Sequence, residues 1–569
     1  MERVWLNSYE PGVPSDISEP EEVLPQLLEK SAQKFANNTA AVFMGGRLTY
    51  QELNALADRF AAVLSSLGFG LGSRVAIHLP NSPQFVFCYY GALRAGCTVI
   101  PCNPLYVERE MEYQLNDSGA ETIITLSRFY PMIRRIKERS SLKTIITTNI
   151  KEYFAGHMRL LYTLAKEKKE GDRVEIQQGD FWLQDLLNQN ASSPVPRPEI
   201  TPQTDACFLY TGGTTGVSKG AVLSHRNLVA NVYQCSAWIT DLQEGKEVTL
   251  SVLPFFHSYG MTASMNFPVS TGGTMVLLPR FDLKMVLKLI DKEKPSLFPG
   301  VPTIYVAINN HPEIEKHNLG HIRVCLSGAA PLPVEVQSTF EKLTGGRLVE
   351  AYGLSETSPA ALINPVYGKR KAGSIGVPIP STYAKVVDAD DPTQEMPVGE
   401  SGELAIKGPQ VMKGYHNMPE QNKEAIIDGW FRTGDMAQMD EDGFFFIVDR
   451  KKDMIIAGGF NIYPREIEEV LYGHEKISEA AVVGVPDEYR GETIKAFIVL
   501  KEGQTLTEEE VIEYCSQNLT KYKVPRSVEF RSELPKTMVG KILRRVLLEE
   551  EKAKQGQGQE KAEDKEKDE

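Results

Sequence analysis

The chain has 569 residues, of which 42% are hydrophobic and 24% charged, and its formal net charge at pH 7 is −13. This length exceeds what a single hydrophobic core supports, so we expect two or more domains of an ordinary globular enzyme. The acidic balance argues against a nucleic-acid partner held by bulk electrostatics, because such partners require basic patches, and it leaves local basic sites open.

The N-terminal segment shows no secretory targeting pattern. Met1 to Trp5 contains Glu2 and Arg3 and leads into no apolar stretch. The seven cysteines are scattered and never spaced C-x-x-C, which is typical of core residues in a reducing compartment. We therefore predict a cytoplasmic protein.

Strand-like and helix-like stretches alternate through the first 150 residues. LTYQEL, residues 48–53, predicts a helix start in which Thr49 caps and Glu52 reaches back. An apolar stretch, 85–101, is interrupted and too short for a membrane span, so we predict a buried helix followed by a buried strand. Similar β-α-β patterns predict a mostly parallel sheet and an α/β fold, with strands at 74–79, 98–101, 121–125 and 142–147.

Residues 154–169 combine apolar side chains with a basic end that includes Lys166, Lys168 and Lys169. Two interpretations remain open at this point. One is a partly buried surface helix, and the other is peripheral contact with the inner face of the cell membrane. The Ser- and Pro-rich segment 191–202 is predicted to be a linker.

The stretch LYTGGTTGVSKG, residues 209–220, is predicted to be a phosphate-binding loop after a strand. Glycine lets successive backbone N–H groups approach one anion, the hydroxyls of the threonines and Ser218 add donors, and Lys219 adds charge. The alternative is a solvent-exposed Gly-rich turn. The kinase-type loop is excluded, because Gly216 and Lys219 are not adjacent.

Further candidate residues follow other predicted strands. SGAAP (327–331) and YGLSET (352–357) come after strand-like runs at 323–326 and 347–351, where α/β sheets bind ligands. Glu356 is suited to Mg²⁺, although a loop glutamate is also commonly solvated. His257 in LPFFHSYG lies near a loop, and Asp435 in WFRTGD could accept hydrogen bonds from both ribose hydroxyls.

The charge run DRKKD, residues 449–453, is predicted to mark a domain boundary. Beyond it we expect helices at 461–471 and 508–518 and strands at 480–484 and 494–500, which make a small α+β domain. LPKTMVGKILRR (534–545) ends this domain with a loop and a basic helix. The predicted divisions are 1–449, 450–548 and a disordered charged tail at 549–569.

The ordered motifs YTGGTTGVSKG, YGLSET, WFRTGD, DRKKD and PKTMVGK resemble those of the adenylate-forming superfamily of acyl-CoA synthetases, luciferases and adenylation domains. The match runs from about Leu48 to Arg545. Within the superfamily the chain looks most like a bacterial long-chain fatty-acid CoA ligase, including the insertion at 154–169 and the stretch VYGKRKAGSIGVPIP. The resemblance implies an α/β fold with a large multi-sheet N-terminal region and a small mobile α+β C-terminal domain.

The same resemblance implies a two-step reaction. A fatty-acid carboxylate attacks the α-phosphate of Mg-ATP and releases pyrophosphate, and the thiol of CoA then displaces AMP from the acyl-AMP. ATP, Mg²⁺ and CoA as co-substrate are therefore the expected cofactors. A medium-chain or aryl acid ligase of the same superfamily and a non-catalytic acyl-binding homologue remain alternatives, and the oligomeric state, dimer included, is left open.

The resemblance also implies roles for individual residues. Lys541, His257, Thr211 and Glu356 would be catalytic, with Lys541 bridging carboxylate and α-phosphate and His257 beside the acyl pocket. Metal ligands would be Glu356 with Thr211 or Thr215. The implied cofactor-binding residues are Thr211, Gly212, Gly213, Thr214, Thr215, Gly216 and Lys219 at the phosphates, Gly328, Ala329, Ala330, Pro331 and Tyr352 at adenine, Asp435 and Arg450 at ribose, Lys452 at the hinge, Gly459 near the pantetheine path, and also Gly353, Glu356, Thr357 and Lys541.

Overall fold

The computed structural model describes residues 3–211, 218–450, 453–457, 460–487, 491–537 and 540–554. Within these ranges the strands form four sheets, three before residue 451 and one after it. Helices cover the sheets and fill the space between them. This arrangement confirms the predicted α/β fold with a large multi-sheet N-terminal region and a smaller C-terminal domain.

The strands of the described residues are, in chain order, β1 (Thr39–Phe43), β2 (Gly46–Thr49), β3 (Arg74–His78), β4 (Thr98–Pro101), β5 (Thr122–Leu126), β6 (Thr144–Thr148), β7 (Phe181–Trp182), β8 (Asp205–Thr211), β9 (Lys219–Ser224), β10 (Val248–Ser251), β11 (Thr274–Leu277), β12 (Leu297–Gly300), β13 (Val324–Ser327), β14 (Arg347–Gly353), β15 (Ala360–Ile363), β16 (Val377–Pro378), β17 (Tyr383–Val387), β18 (Gly402–Lys407), β19 (Gly414–Tyr415), β20 (Ile426–Ile427), β21 (Trp430–Met439), β22 (Phe445–Arg450), β23 (Ile455–Ala457), β24 (Phe460–Ile462), β25 (Ile477–Asp487), β26 (Gly491–Leu500) and β27 (Ser527–Phe530).

The α-helices of the same residues are α1 (Leu24–Lys34), α2 (Tyr50–Ser66), α3 (Pro83–Arg94), α4 (Glu108–Ser118), α5 (Tyr130–Lys137), α6 (Gly156–Ala165), α7 (Leu183–Gln189), α8 (His225–Trp238), α9 (Ser258–Met261), α10 (Phe267–Ser270), α11 (Leu283–Glu293), α12 (Pro302–Asn309), α13 (Val334–Thr344), α14 (Pro419–Ala425), α15 (Pro464–Tyr472), α16 (Glu508–Asn518) and α17 (544–554).

Two large sheets place the candidate motifs. One has the order β19-β9-β8-β4-β3-β5-β6-β7, parallel from β8 to β7, and the antiparallel hairpin β8–β9 carries the phosphate loop. The other has the order β16-β15-β14-β13-β12-β10-β11-β1-β2, parallel from β14 to β1. The SGAAP and YGLSET segments follow β13 and β14, so they lie at the same edge of this sheet.

The stretch 85–101 folds as predicted. Every residue of α3 is buried, and so is every residue of β4 after it. The side chain of Arg94 at the end of α3 is almost fully buried and pairs with Asp58 and Glu29. Among the described residues, no helix is both long enough and apolar enough to cross a membrane.

Local cap signals are also confirmed. Thr49 is the N-cap of α2 and accepts a hydrogen bond from the Glu52 backbone N–H, while the Glu52 carboxylate accepts from the Thr49 N–H at 2.8 Å. This reciprocal pair satisfies two donors that a helix N-terminus otherwise leaves unpaired.

The C-terminal domain has a sheet of order β24-β23-β26-β25, with β27 beside β26. The predicted helix 508–518 matches α16. The prediction that a helix begins at Asn461 is wrong, because 460–462 pair with β23 as a strand and the helix begins at Pro464, whose ring fixes a helical φ in the first turn.

The predicted domain limits fall close to element ends. Strand β22 reaches Arg450, and β23 of the next sheet begins at Ile455. The division at 449/450 itself stays a prediction. The predicted start of the disordered tail at residue 549 is too early, because 549–554 continue helix α17. In this helix Leu547 is buried and Glu551 pairs with Lys495. Residues 555–569 lie outside the described residues.

Candidate active site

The phosphate loop is held at its two ends by the β8–β9 hairpin. Thr211 and Lys219 are partners in the register of these strands, so both ends of the loop are fixed. Ser218 donates its hydroxyl to the carbonyl of Thr211 at 2.7 Å, and the Ser218 carbonyl accepts from the Tyr113 hydroxyl at 2.9 Å. The Ser218 hydroxyl, predicted to be a phosphate donor, closes the base of the loop in this structure, and its contact with a phosphate stays a prediction.

Glu356 lies in a short helical turn, 355–357, that contacts both strands of this hairpin. The residue is only 8% exposed, and its Oε1 atom accepts a hydrogen bond from the Tyr415 hydroxyl at 2.8 Å. The ammonium of Lys219 lies over the face of the same Tyr415 ring, 5.2 Å from the ring centre. The fold thus brings the loop lysine and the predicted metal ligand to one aromatic side chain.

Thr357 is next to Glu356 in this turn. Its buried hydroxyl accepts a hydrogen bond from the Leu354 N–H at 3.0 Å and donates to the carbonyl of Pro359. These bonds fix the turn that presents Glu356. A direct contact between Thr357 and a cofactor stays a prediction.

The segment after β13 passes very close to its neighbours. A Cβ atom on Gly328 would lie 3.2 Å from the Tyr259 ring and 3.3 Å from the carbonyl oxygen of Ala351, so a side chain there would require these neighbours to shift by a few tenths of an ångström. Ala329 then adopts φ +68°, a left-handed conformation that is uncommon for alanine. Ala330 and Pro331 complete a partly exposed loop at the edge of the nine-stranded sheet.

Two of the predicted nucleotide ligands contact each other. The Tyr352 hydroxyl, at the end of β14, donates to Oδ2 of Asp435 in β21 at 2.5 Å. Asp435 is 4% exposed and lies opposite Arg450 in the β21–β22 register. A carboxylate held this way has a fixed orientation, which suits recognition of two adjacent hydroxyls. Gly353 also lies at the end of β14, where a Cβ would overlap the carbonyl of Pro359 at 1.9 Å.

His257 is the N-cap of α9, and its Nδ1 atom accepts a hydrogen bond from the Tyr259 backbone N–H at 3.2 Å. A neutral imidazole that accepts at Nδ1 carries its proton on Nε2 and donates there. Burial and the nearby ammonium of Lys541 lower the pKa of His257 to about 4. The side chain is therefore a neutral hydrogen-bond donor at physiological pH.

Lys541 reaches this site from the C-terminal domain. Its backbone N–H donates to the Thr537 hydroxyl at 3.1 Å, and the preceding Gly540 has φ +72°. A Cβ at Gly540 would lie 2.6 Å from Oγ1 of Thr303, the second residue of α12. The loop that carries Lys541 thus packs against the large region at a point where only glycine fits.

A second contact joins the two parts of the molecule. Nη2 of Arg465 in α15 lies 4.0 Å from Oε1 of Glu350 in β14 and donates to the carbonyl of Gly373 at 3.5 Å. Both charged residues are only 6% exposed. Burial raises the pKa of Glu350 to about 7, while Arg465 and a hydrogen bond from the Leu332 N–H act in the opposite direction.

Some predicted site residues fall outside the described residues, namely Gly212, Gly213, Thr214, Thr215, Gly216, Lys452 and Gly459. Arg450 is described as part of β22 without its side chain. Their roles, and that of Thr215 as a metal ligand in particular, stay predictions.

Sequence reasoning missed Tyr415, Glu350 and Arg465. Tyr415 is 59 residues from its partner Glu356, and nothing in the surrounding GYHNMPE resembles a metal- or phosphate-binding pattern. The buried carboxylate of Glu350 lies two residues before the first residue of the predicted motif YGLSET, in VEAYGLSET. That position inside an apolar strand was the available signal that it has a buried partner.

Comparison with known proteins gives two family matches. The model described as AMP-binding enzyme matches residues 28–416, and the model described as AMP-binding enzyme C-terminal domain matches residues 466–541. The chain is 48% identical over 551 residues to a long-chain-fatty-acid–CoA ligase of Bacillus subtilis, covering 97% of this chain and 98% of that ligase. It is 40% identical over 561 residues to the ligase of the same name from Salmonella typhimurium, covering 97% and 99% of the two chains.

Among solved structures, the chain superposes on ATP-bound MatB from Rhodopseudomonas palustris with a TM-score of 0.81 at 31% identity, covering 92% of this chain and 98% of that one. The TM-score with apo MatB is 0.72 at the same identity and coverage. The structure of this chain is thus more similar to the ATP-bound form of MatB than to its apo form.

Proposed function

Since the chain belongs to the AMP-binding enzyme family, we propose that it is an ATP-dependent ligase that converts long-chain fatty acids through acyl-AMP to acyl-CoA, releasing AMP and pyrophosphate. Near-complete coverage of two ligases named for that activity, at 48% and 40% identity, supports the substrate class. ATP and CoA are the co-substrates. One arrangement carries the proposal: the loop that contains Gly540 and Lys541 packs against Thr303 of the large region, which brings the Lys541 ammonium close to His257 across the domain boundary.

The first half-reaction needs positive charge where two anions meet. A carboxylate and the α-phosphate repel each other, and the ammonium of Lys541 offsets this repulsion as the C–O–P bond forms. The neutral His257 adds no charge of its own, and its Nε2–H can donate to an oxygen of the reacting carboxylate. The Tyr352–Asp435 pair is proposed to bind the nucleoside, with the Asp435 carboxylate accepting hydrogen bonds from the ribose hydroxyls; the fixed orientation that Tyr352 gives this carboxylate supports the proposal.

Mg²⁺ is proposed to enter with the triphosphate and to be held by Glu356, with Thr211 or Thr215. The residues fit this role, because a buried carboxylate at the base of a glycine-rich phosphate loop is a hard oxygen ligand beside the phosphates. When bound, the ion neutralises charge on the departing pyrophosphate. Lys219 at the other end of the loop contributes charge from the protein itself.

A substrate panel tests the function. Purified enzyme with Mg-ATP is supplied with palmitate, octanoate or coumarate, and AMP formation is measured with and without CoA. We expect the highest kcat/KM for palmitate and sustained AMP release only with CoA. Preference for octanoate or coumarate would replace the substrate class, and absence of any acid-dependent pyrophosphate release would make the chain a non-catalytic acyl-binding homologue.

We further propose peripheral contact with an anionic lipid bilayer through α6 and the segment after it. Leu160, Leu161 and Leu164 are 61%, 58% and 76% exposed on this helix. Tyr162 of the same helix points inward and donates to Asp172 at 2.5 Å, so the helix is anchored with its leucines outward. The following lysines 166, 168 and 169 are all exposed. Apolar side chains beside exposed cations suit an anionic lipid surface.

The membrane contact is tested by co-sedimentation with phosphatidylglycerol and phosphatidylcholine vesicles. Replacing Lys166, Lys168 and Lys169 with glutamine should weaken binding to the anionic vesicles by about 1 kcal/mol per charge and reduce its salt dependence. The same change at the exposed lysines 284, 288 and 292 of α11 is the matched control. Equal binding by both triple variants would leave α6 as a surface helix.

A further inference from the structure

Tyr415 lies in a rigid backbone setting at the edge of the eight-stranded sheet. It belongs to β19, which pairs with β9, and the next residue donates its N–H to the carbonyl of Gly220 at 2.8 Å. Asn422 holds Tyr415 from the other side, since its Oδ1 accepts from the Tyr415 N–H at 2.6 Å and its Nδ2 donates to the Tyr415 carbonyl at 2.9 Å. The backbone of Tyr415 is therefore fixed relative to the strand that begins with Lys219.

The segment before Tyr415 is fixed relative to Glu356 as well. The Met412 N–H donates to the backbone carbonyl of Glu356 at 2.8 Å. Main-chain bonds thus join 412–416 to both the phosphate hairpin and the turn that carries Glu356. This small segment is the structural bridge between the two.

The side chain of Tyr415 completes the bridge. Its hydroxyl donates to Glu356 at 2.8 Å, and its ring face receives the Lys219 ammonium at 5.2 Å. One tyrosine side chain therefore contacts both the proposed metal ligand and the lysine of the phosphate loop.

We propose that Tyr415 is a positioning residue for Mg-ATP: its hydroxyl orients the Glu356 carboxylate toward the metal, and its ring orients the Lys219 ammonium toward the phosphates. This inference rests on the function proposed above. Charged side chains that are already oriented lose less conformational freedom when the triphosphate binds, so the ligand is bound more tightly. The role concerns Mg-ATP alone, and the transfer of a preformed acyl-AMP to CoA does not need it.

Four single variants and one double variant separate these contributions. Y415F keeps the ring and loses the hydroxyl, Y415L loses both, and E356Q removes the negative charge of the proposed metal ligand. Y233F is the matched control, because Tyr233 makes a similar hydrogen bond to a carboxylate, that of Glu22, at 2.6 Å in another part of the large region. The double variant Y415F/E356Q tests whether Tyr415 acts through Glu356.

Two methods, calorimetry and enzyme kinetics, are applied to each variant. Calorimetric titration with a non-hydrolysable Mg-ATP analogue measures binding without turnover, and kinetics give the KM for Mg-ATP and the rate of acyl-CoA formation from preformed acyl-AMP. We expect Y415F to weaken analogue binding and raise the KM about tenfold. Y415L should weaken analogue binding and raise the KM by about a further threefold. The transfer rate should stay at the wild-type value in both, and Y233F should match wild type throughout.

The outcomes distinguish this inference from the function on which it rests. If E356Q binds the analogue as wild type does, the metal role of Glu356 fails. If E356Q is impaired while Y415F is not, the positioning role of Tyr415 is overturned and the metal role stands. The double variant should be no weaker than E356Q alone, and additive losses would show that Tyr415 acts independently of Glu356. If Y415L does not fold, Y415F still decides the question.

Discussion

Among the described residues, two contacts between the small domain and the large region differ in their chemistry. The lysine contact consists of Gly540 and Lys541 against Thr303 and His257, and the arginine contact consists of Arg465 against Glu350 and Gly373. In the first, a cation faces a neutral imidazole and residues that are partly exposed. In the second, an arginine and a carboxyl group are each 6% exposed.

This difference indicates separate roles in one cycle. In the mechanism proposed above, the lysine contact would bring charge to the reacting atoms, and it makes no ion pair with the neutral His257. The arginine contact buries two ionisable groups, and separating the domains would return both to water. Its strength therefore depends on whether Glu350 is protonated. We therefore propose that the lysine contact supplies charge to the reaction and that the arginine contact makes domain closure sensitive to pH.

Of the changes at these two contacts, removal of the Lys541 ammonium should have the largest effect on enzyme activity. We expect Lys541→Ala to slow adenylation by about 10³-fold, because the charge that offsets repulsion in the transition state is lost. Acyl-AMP already contains the C–O–P bond, so the variant should still convert preformed acyl-AMP to acyl-CoA at an appreciable rate. Pyrophosphate exchange measures the first step, and single-turnover thioester formation measures the second.

The reverse pattern is expected at Lys452, the hinge residue implied by the family resemblance. Lys452→Pro fixes φ near −65° and should oppose the domain rotation between the half-reactions. It should form acyl-AMP but transfer it slowly. Equal loss of both half-reactions in the two variants, with native circular dichroism, would mean that the domains do not alternate.

The signals that predicted the fold act over a few residues of sequence. The Thr49 and Glu52 cap, the buried run at 85–101 and the strand before the phosphate loop are all readable locally, and each is present in the structure. The interpretation of 461–471 as one helix failed by three residues, because apolar periodicity does not reveal that a short strand precedes Pro464.

The contacts that the sequence could not reveal are tertiary. Whether the Ser218 hydroxyl faces a phosphate or closes the loop depends on where the Thr211 carbonyl lies. The Tyr352–Asp435 bond joins residues 83 positions apart, so the two appear in the sequence as separate motifs. Glu350 and Arg465 lie in different domains, and only domain packing brings them together.

A smaller perturbation of the lysine contact tests its geometry rather than its charge. Gly540→Ala adds a Cβ at a position with φ +72° and 2.6 Å from the Thr303 hydroxyl, so the loop must move. A displacement of about 1 Å should reduce adenylation about 10²-fold and leave transfer from preformed acyl-AMP close to wild type. Pyrophosphate exchange again provides the measurement.

Gly503→Ala is the matched control for this variant. Gly503 belongs to the same domain and has φ +75°, but a Cβ there would meet nothing within 4 Å. It introduces the same backbone strain, worth about 1–2 kcal/mol, without the contact with Thr303. If both variants lose adenylation equally, the effect comes from strain within the small domain and the lysine contact is not decisive.

The arginine contact should give the smallest effect, seen as a dependence of domain closure on pH. The pKa of Glu350 is raised to about 7 in the closed arrangement, against about 4.3 for a glutamate in water. An acid with a raised pKa stabilises the closed arrangement fully below its ordinary pKa, and this stabilisation is lost as pH rises through 7. With these two values, closure should weaken about tenfold between pH 6 and pH 8. Glu350→Gln cannot titrate, so its closure should not change over this range.

Fluorescence energy transfer between dyes on the two domains, measured with and without Mg-ATP, would follow this equilibrium.

The groups facing Glu350 predict the direction of a second change. Arg465 lowers the pKa of Glu350, whereas Glu469 raises it. Arg465→Gln should therefore raise that pKa further and move the loss of closure to higher pH. If wild type and Glu350→Gln show the same dependence on pH, another group controls it. In that case the arginine contact would hold the domains together without sensing pH, and both contacts would be insensitive to proton concentration near neutrality, since His257 titrates only at about pH 4.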